Sequence, residues 1–325
     1  MSNVSSKSFG GIDYESILDA VCQPGDVPGN PNLKDFQRHP RPSRTAIFDI
    51  VEQLRSVLFP GYFGFETLTP KTIRAHVLST LDKALKQLQV QVTRAICFIC
   101  GDCEDCEEQA SEAIVTFANS LPNIRKLLST DAQASFDYDP ATIIRDEPVF
   151  CYPGMFAMTN YRMAKELYKL NVPLIPRIIT EYAHDITGID IHPGAQIGES
   201  TFIDHGTGVV IGQTAKIGNR VRIYQGVTIG VKNFELDENG LPIKLVPRHP
   251  VVEDDVVVYS NSSILGRITV GKGSMIAANV RLTNDVPAGS IVYPAAVRVK
   301  IIDSETGEPH QPVVPEKPKK KRGKR

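Results

Sequence analysis

The sequence has no tryptophan, no excess of one charge and no long apolar run, and each lack narrows what the chain can be. With no Trp, and with 23 Pro beside 24 Gly among 325 residues, the composition favours many turns over long uninterrupted helices. Lys and Arg number 36 against 37 Asp and Glu, a net charge of −1, so no global field points to nucleic acid or a membrane surface. No uncharged apolar stretch approaches about 18 residues, and the start MSNVSSKSFGG lacks the basic and apolar segments of a secretory leader. The expectation is a cytoplasmic protein with no membrane or nucleic-acid partner. Hydrophobic content of 42% and charge of 22% exclude wholesale disorder, and the length suits two domains or one domain with extensions.

Six cysteines are the unusual entry in this composition. Cys97, Cys100, Cys103 and Cys106 follow one another at a strict spacing of three, with Cys22 and Cys151 apart. This is not the spacing of a secreted disulfide framework. Thiolates two residues apart can reach one zinc ion or an iron–sulfur cluster. On a continuous helix, however, a step of three turns about 300°, so the thiols drift around the surface; a metal site requires the stretch to leave helical geometry.

Residues 1–43, rich in Pro, Gly and Asn, read as an arm or loop. From Arg44 to about residue 187 the apolar spacing is helical. Ile47, Ile50, Val51, Leu54, Val57 and Leu58 mark one buried face. Thr69 before Pro70 is a plausible N-cap for Ile73, Val77, Leu78, Leu81, Leu85 and Leu88, and Ser120-Leu121-Pro122 restarts a helix. This domain is expected to serve oligomerisation and to supply part of the site.

At Gly188 the texture changes. Ile191, Ile197, Ile203 and Val209 stand six apart; after a slip of two residues Ile211, Ile217, Ile223 and Ile229 do so again. Val252, Val258, Ile264, Val270, Ile276 and Leu282 resume the period beyond an interruption. A branched aliphatic residue every six positions suits a left-handed parallel β-helix, in which three short strands make a triangular coil of about eighteen residues. The slip is a bulge candidate. The fold class expected is α+β, an α-helical domain over 44–187 followed by a left-handed parallel β-helix over 188–295, with residues 231–250 protruding as a loop. Residues 296–325, ending EKPKKKRGKR, read as a basic, solvated tail.

Four of the seven histidines lie between His184 and His249, and His192, His205 and His249 fall off the strand positions. A base for acyl transfer to a hydroxyl needs a pKa near neutrality, which an imidazole supplies. The string DIHPGAQIGESTFIDHGTGVVIGQTAKIGNRVRIYQGVTIG, followed by RHP at Arg248-His249-Pro250 and the second hexad run, resembles the serine acetyltransferase family of hexapeptide-repeat acyltransferases. The likeness extends upstream to DYDPA and YPGMFAMTNYRMAKELY, so it covers roughly residues 130–290.

That resemblance implies direct transfer of acetyl from acetyl-CoA to the L-serine hydroxyl, giving O-acetyl-L-serine for cysteine biosynthesis, with no metal required. It implies His205 as general base, Asp190 orienting it as a dyad, and His249 as a second histidine touching substrate. Asp139 and Asp204 would hold the serine ammonium and Arg248 its carboxylate, the complementary set for an amino acid. Backbone N–H groups near Gly230, or the His249 ring, would meet the oxyanion. Gly230, Ser260 and Ala278 fall where the family lines its pantetheine channel, although small residues equally fit tight coil turns. The implied assembly is a homotrimer or a dimer of trimers, with Asp139 expected to meet a neighbouring subunit's coil.

The chain departs from the family pattern in four places. Gln213 stands where a glutamate is usual and Val231 where a second glycine is usual, the loop before Arg248 is long, and the end Lys324-Arg325 makes tail-mediated binding to cysteine synthase unlikely. The alternatives are transfer to another hydroxyl or amine such as phosphoserine, homoserine or a sugar, and a non-catalytic scaffold or sensor. Zinc-dependent hydration chemistry on the same fold is disfavoured because the chain lacks an H-x4-H pair.

Overall fold

The structure, a computed structural model, describes residues 13–21, 40–64, 68–101, 104–294 and 302. Nearly all of the basic tail, and most of the N-terminal arm, therefore lie outside the described residues. Within the arm, α1 (Tyr14–Val21) is helical where only an arm or loop was expected. Tyr14, Ile17, Leu18 and Val21 recur at helical spacing over a segment too short to register as a period, and all four are exposed.

In α2 (Arg44–Leu58), Ile47, Ile50, Val51, Leu54 and Leu58 are buried, and the Ser43 hydroxyl caps the start by accepting from Ala46 N–H at 3.3 Å. Two long helices follow, α3 (Ile73–Cys100) of 28 residues and α4 (Cys106–Tyr138) of 33, against the reading of composition as turn-rich. Residues 70–72 form a turn, so α3 begins after the expected cap at Thr69, whose carbonyl accepts from Ile73 N–H at 2.9 Å. Leu78 is 69% exposed; the buried face comprises Ala84, Leu88, Gln91, Val92 and Ala95. Pro122 does not restart a helix but lies inside α4, where buried Leu121 and Ile124 anchor the chain on either side of the missing donor. The short α5 (Glu147–Cys151), α6 (Pro153–Lys169) and α7 (Ile175–Thr187) complete the helical half. Gly188 closes α7 in the left-handed conformation, φ 70°, and the next residues enter the coil.

Fourteen strands of two or three residues follow: β1 Asp190–Ile191, β2 Gln196–Ile197, β3 Phe202–Ile203, β4 Val210–Ile211, β5 Lys216–Ile217, β6 Arg222–Ile223, β7 Thr228–Gly230, β8 Val251–Val252, β9 Val257–Val258, β10 Ser263–Leu265, β11 Thr269–Val270, β12 Met275–Ile276, β13 Arg281–Leu282 and β14 Ile291–Val292. They make three all-parallel faces of a left-handed β-helix: β1-β4-β7-β10-β13, then β2-β5-β8-β11, then β3-β6-β9-β12-β14. The hexad residues are the ladder partners. Ile191, Ile211, Ile229, Ile264 and Leu282 stack on the first face; Ile197, Ile217, Val252 and Val270 on the second; Ile203, Ile223, Val258, Ile276 and Val292 on the third.

The two-residue slip is not a strand bulge. Ile223 to Ile229 and Val258 to Ile264 each span six positions from third face to first, whereas Ile203 to Ile211 spans eight. The surplus widens the corner at residues 204–209, where His205, Gly206 and Gly208 all have positive φ. After β7 the chain leaves the coil through the mostly exposed residues 231–250 and returns in register, Val252 pairing with Ile217.

The helical half and the β-helix each have an aliphatic core, and α6 serves both. Its Ala157, Met158 and Tyr161 face the coil, while Met155, Met163, Ala164 and Leu167 face the other helices. Gly154 lies so close to β3 that a Cβ there would meet the Ile203 carbonyl oxygen at 2.3 Å. Arg162, on α6, forms a fully buried fork on Asp131 of α4, with Nε–Oδ2 at 2.6 Å and Nη2–Oδ1 at 2.8 Å. The same pair reaches the coil: Nη2 donates to Gly198 O at 2.8 Å, and Asp131 Oδ1 accepts from Thr201 N–H at 2.9 Å. Asp131→Ala is expected to cost about 3–5 kcal/mol in chemical denaturation, because it strands a buried guanidinium, and an Asp131→Leu/Arg162→Met double variant is expected to cost less.

Candidate active site

Each coil has three corners, and the chemistry-bearing residues gather at two of them. The widened corner between third and first faces carries Asp204 and His205, with His205 Nε2 at 3.7 Å from Asp204 Oδ2. The end of α4 delivers Asp139 to this corner, where the charge of His205 acts on Asp139 and the charge of Asp139 acts on Asp204. Tyr138 helps seat that helix end, its ring against Phe202 and beneath the Arg222 guanidinium at 4.6 Å. Asp139 accepts from Tyr152 Oη at 2.5 Å and from Ala141 N–H at 2.8 Å, and the Tyr152 bond above all holds its carboxyl below the usual range. Thr142 also bonds Tyr152 Oη. Burial pushes Asp204 the other way, upward, against the pull of His205. The side chain of His205 is 72% exposed, so this corner presents an imidazole to the outside and carboxylates behind it.

The corner between first and second faces carries His192, Gln213 and, at the end of the protruding loop, Arg248 and His249. Thr214 fastens the returning loop: its Oγ1 accepts from Arg248 N–H at 2.9 Å and His249 N–H at 3.1 Å. His249 Nδ1 lies 2.8 Å from Thr214 Oγ1 and accepts from Thr214 N–H at 3.2 Å, which assigns the remaining ring proton to Nε2. The ring packs so closely on Gly212 that a Cβ there would lie 2.0 Å from it. Burial, reinforced by Arg248 and Arg267, lowers the His249 pKa to about 4. His192 is also lowered to about 4, first by burial and then by Arg177 and His249, and its Nδ1 accepts from Gly194 N–H at 2.9 Å. Gln213 joins Arg248 to α6: its Oε1 accepts from Arg248 Nη2 at 2.9 Å and its Nε2 donates to Tyr168 Oη at 3.2 Å.

Asp139, Asp204 and His205 thus meet at one corner and Arg248 and His249 at the other, whereas among the described residues no hydrogen bond or ion pair joins Asp190 to His205 as the expected dyad would. Asp139 stands with His205 on its own chain's coil, because the end of α4 packs on β3. Ser260 and Ala278 rise in register above His205 on the same corner, linked by Asn279 N–H donating to Ser260 O at 3.0 Å. Gly230 ends β7 on the other corner, bonded through its carbonyl to Gly266 N–H at 3.0 Å. Asp190 opens β1, its carboxylate within 4.8 Å of the ligand atoms of Glu181 and His184 on α7. Tyr152, Thr214 and Tyr168 were missed. Their partners are distant in sequence, and no periodicity signals such a hydrogen bond.

Comparison with known proteins shows the family. The bacterial transferase hexapeptide (six repeats) model matches residues 249–284. The "Serine acetyltransferase, plasmid" of Synechococcus elongatus is 47% identical over 300 residues, covering 90% of this chain and 94% of that protein. The chain belongs to the serine acetyltransferase family. A serine acetyltransferase of Bacillus licheniformis is 42% identical over 176 residues, 54% of this chain and 77% of that one. Among solved structures, Entamoeba histolytica serine acetyltransferase 1 in complex with L-cysteine shares 34% identity, covers 86% of this chain and 95% of its own, and superposes with a TM-score of 0.67.

In this serine acetyltransferase family member the two depressed histidines tie stability to pH. Unfolded imidazoles take up protons below about pH 6.5, whereas His192 and His249 in the folded chain do so only near 4. The folded state therefore loses stability as pH falls from 6.5 towards 4. Urea midpoints measured across that interval are expected to decline, and to decline less steeply in a His192→Asn/His249→Asn double variant.

Proposed function

We propose that the chain transfers acetyl from acetyl-CoA to the hydroxyl of L-serine, in a cleft where the widened corner of one subunit faces the Arg248–His249 corner of the next. The observation that carries this reading is the division of the site. Asp139, Asp204 and His205 supply anions and a base, whereas Arg248 and the neutral His249 supply a cation and a donor, and an amino-acid substrate needs both sets. Asp139 and Asp204 receive the ammonium, and Arg248 the carboxylate, which directs the hydroxyl at His205. His205 takes the hydroxyl proton as the oxygen attacks the thioester carbonyl. The carbon–sulfur bond then breaks, and the imidazolium returns the proton to the CoA thiolate.

His249 enters as a donor. With Nδ1 accepting from the Thr214 backbone and its pKa lowered to about 4, the ring offers only Nε2–H, suited to an oxyanion and not to taking a proton. Asp190 is the group proposed to orient His205. The Ser260–Ala278 column and Gly230 on the facing corner are proposed to border the pantetheine arm. Gln213 in place of the usual glutamate keeps Arg248 placed through its carbonyl oxygen. The product feeds cysteine biosynthesis in the cytoplasm, the assembly is a homotrimer or a dimer of trimers, and no metal is needed. Among the described residues no helix is long and apolar enough to cross a membrane.

His205→Ala is expected to lower kcat by about 10²–10⁴-fold in a serine-dependent CoA-release assay, with circular dichroism and oligomer size unchanged. Near-normal turnover would remove His205 from the mechanism. A site divided between subunits makes a second, sharper forecast. Coexpressed His205→Ala and His249→Ala chains, each nearly inactive alone, are expected to recover about a quarter of wild-type activity, since one interface in four of a random trimer pairs the two intact halves. No recovery would place the whole site within one chain.

A further inference from the structure

The four-cysteine run sits where two long helices meet, and the meeting changes what the thiols can do. α3 ends at Cys100, Gly101 turns the chain with φ 75°, and α4 starts at Cys106. The turn supplies the departure from helical geometry that a shared ligand requires. Cys106 Sγ lies 3.4 Å from Cys100 Sγ, and Cys97 shares a hydrogen bond with Cys106. Cys106 is buried, Cys97 half-buried and Cys100 at the surface. Cys103 lies outside the described residues.

We propose that, once the Cys100 disulfide is reduced, Cys97, Cys100 and Cys106 form a three-thiolate site for a thiophilic divalent cation of the zinc class. Sulfurs around a tetrahedral zinc, at about 2.3 Å from the metal, stand about 3.8 Å apart, so the Cys100–Cys106 pair needs only a few tenths of an ångström of adjustment. Exposed Glu104, Asp105, Glu107 and Glu108 surround the turn and draw cations to it.

Cys100 is disulfide-bonded in this structure, and a sulfur so engaged has no thiolate to give. A dithiol or phosphine supplies the two electrons, and two protons complete the conversion of the disulfide to two thiols. Binding of one divalent ion then releases a proton from each of the three ligating thiols to solvent. The 33 residues of α4 separate this turn from Asp139, about 50 Å at helical rise, so the ion fastens the helix pair and takes no part in acyl transfer.

The test uses the full chain, reduced with a phosphine and stripped of metal without oxygen, then titrated with Co2+ and afterwards Zn2+. One equivalent of Co2+ per chain is expected, with thiolate-to-cobalt charge-transfer absorption that Zn2+ abolishes. Cys97→Ser and Cys100→Ser should each lose that absorption while Cys151→Ser keeps it; Cys100 is a surface position, so its variant folds. Zinc-loaded chain should also resist re-formation of the Cys100 disulfide, read by mass spectrometry. Absence of the band in reduced wild type, its survival in both Cys97→Ser and Cys100→Ser, or equal uptake by the oxidised chain would each overturn the proposal. These readouts do not involve acetyl transfer, so they stand apart from any failure of the proposed activity.

Discussion

The corner that brings Asp139 to His205 depends on one buried ion pair. Asp131 and Arg162 are almost completely removed from solvent, and between them they bind α4, α6 and the first coil's corner between second and third faces. Burial pushes the Asp131 carboxyl up, and the guanidinium together with the Thr201 N–H opposes that push. A pair of this kind contributes little net stability over a well-packed apolar substitute, but it tolerates no sliding, since each partner is costly alone. Its value here is alignment. Asp139 stands eight residues beyond Asp131 on the same helix, about 12 Å away, so fixing one fixes where the other meets His205.

The two histidines at the two corners stand in opposite surroundings. His249 is enclosed, flanked by Arg248 and Arg267, and committed through Nδ1 to a backbone amide. His205 is open to solvent and stands beside carboxylates. An imidazole enclosed beside cations stays neutral and donates.

The β-helix was legible because a six-residue period is enforced by every coil at once: a wrong side chain at Ile211 or Ile229 would break two ladders. The helical boundaries were less so. Leu78 belongs to an apolar period yet faces outward, because the core contacts of α3 begin only near Leu81, and a period does not reveal where partners begin or end. Pro122 looked like a boundary because propensity is local, whereas the burial of Leu121 and Ile124 that overrides it is tertiary. Among site residues, the family resemblance supplied identities but not grouping. It named Asp139 and Arg248 alike, and only the docking of α4 shows which of them shares a corner with His205. The cysteines were ambiguous for the same reason, since their convergence depends on Gly101 breaking a helix that the spacing alone would continue.

The widened corner has an implication for how such a fold acquires chemistry. Pairing between coils is satisfied by the flat faces, and Ile211 finds Ile229 whether six or eight residues precede it. A corner can therefore gain length without disturbing the winding, and the gain projects outward, where a neighbouring molecule can be met. With residues 204–209 shortened by two, the rod would still wind but would lose the corner on which the proposed base stands. On that proposal, the step from scaffold to catalyst in this architecture is the size of a dipeptide insertion.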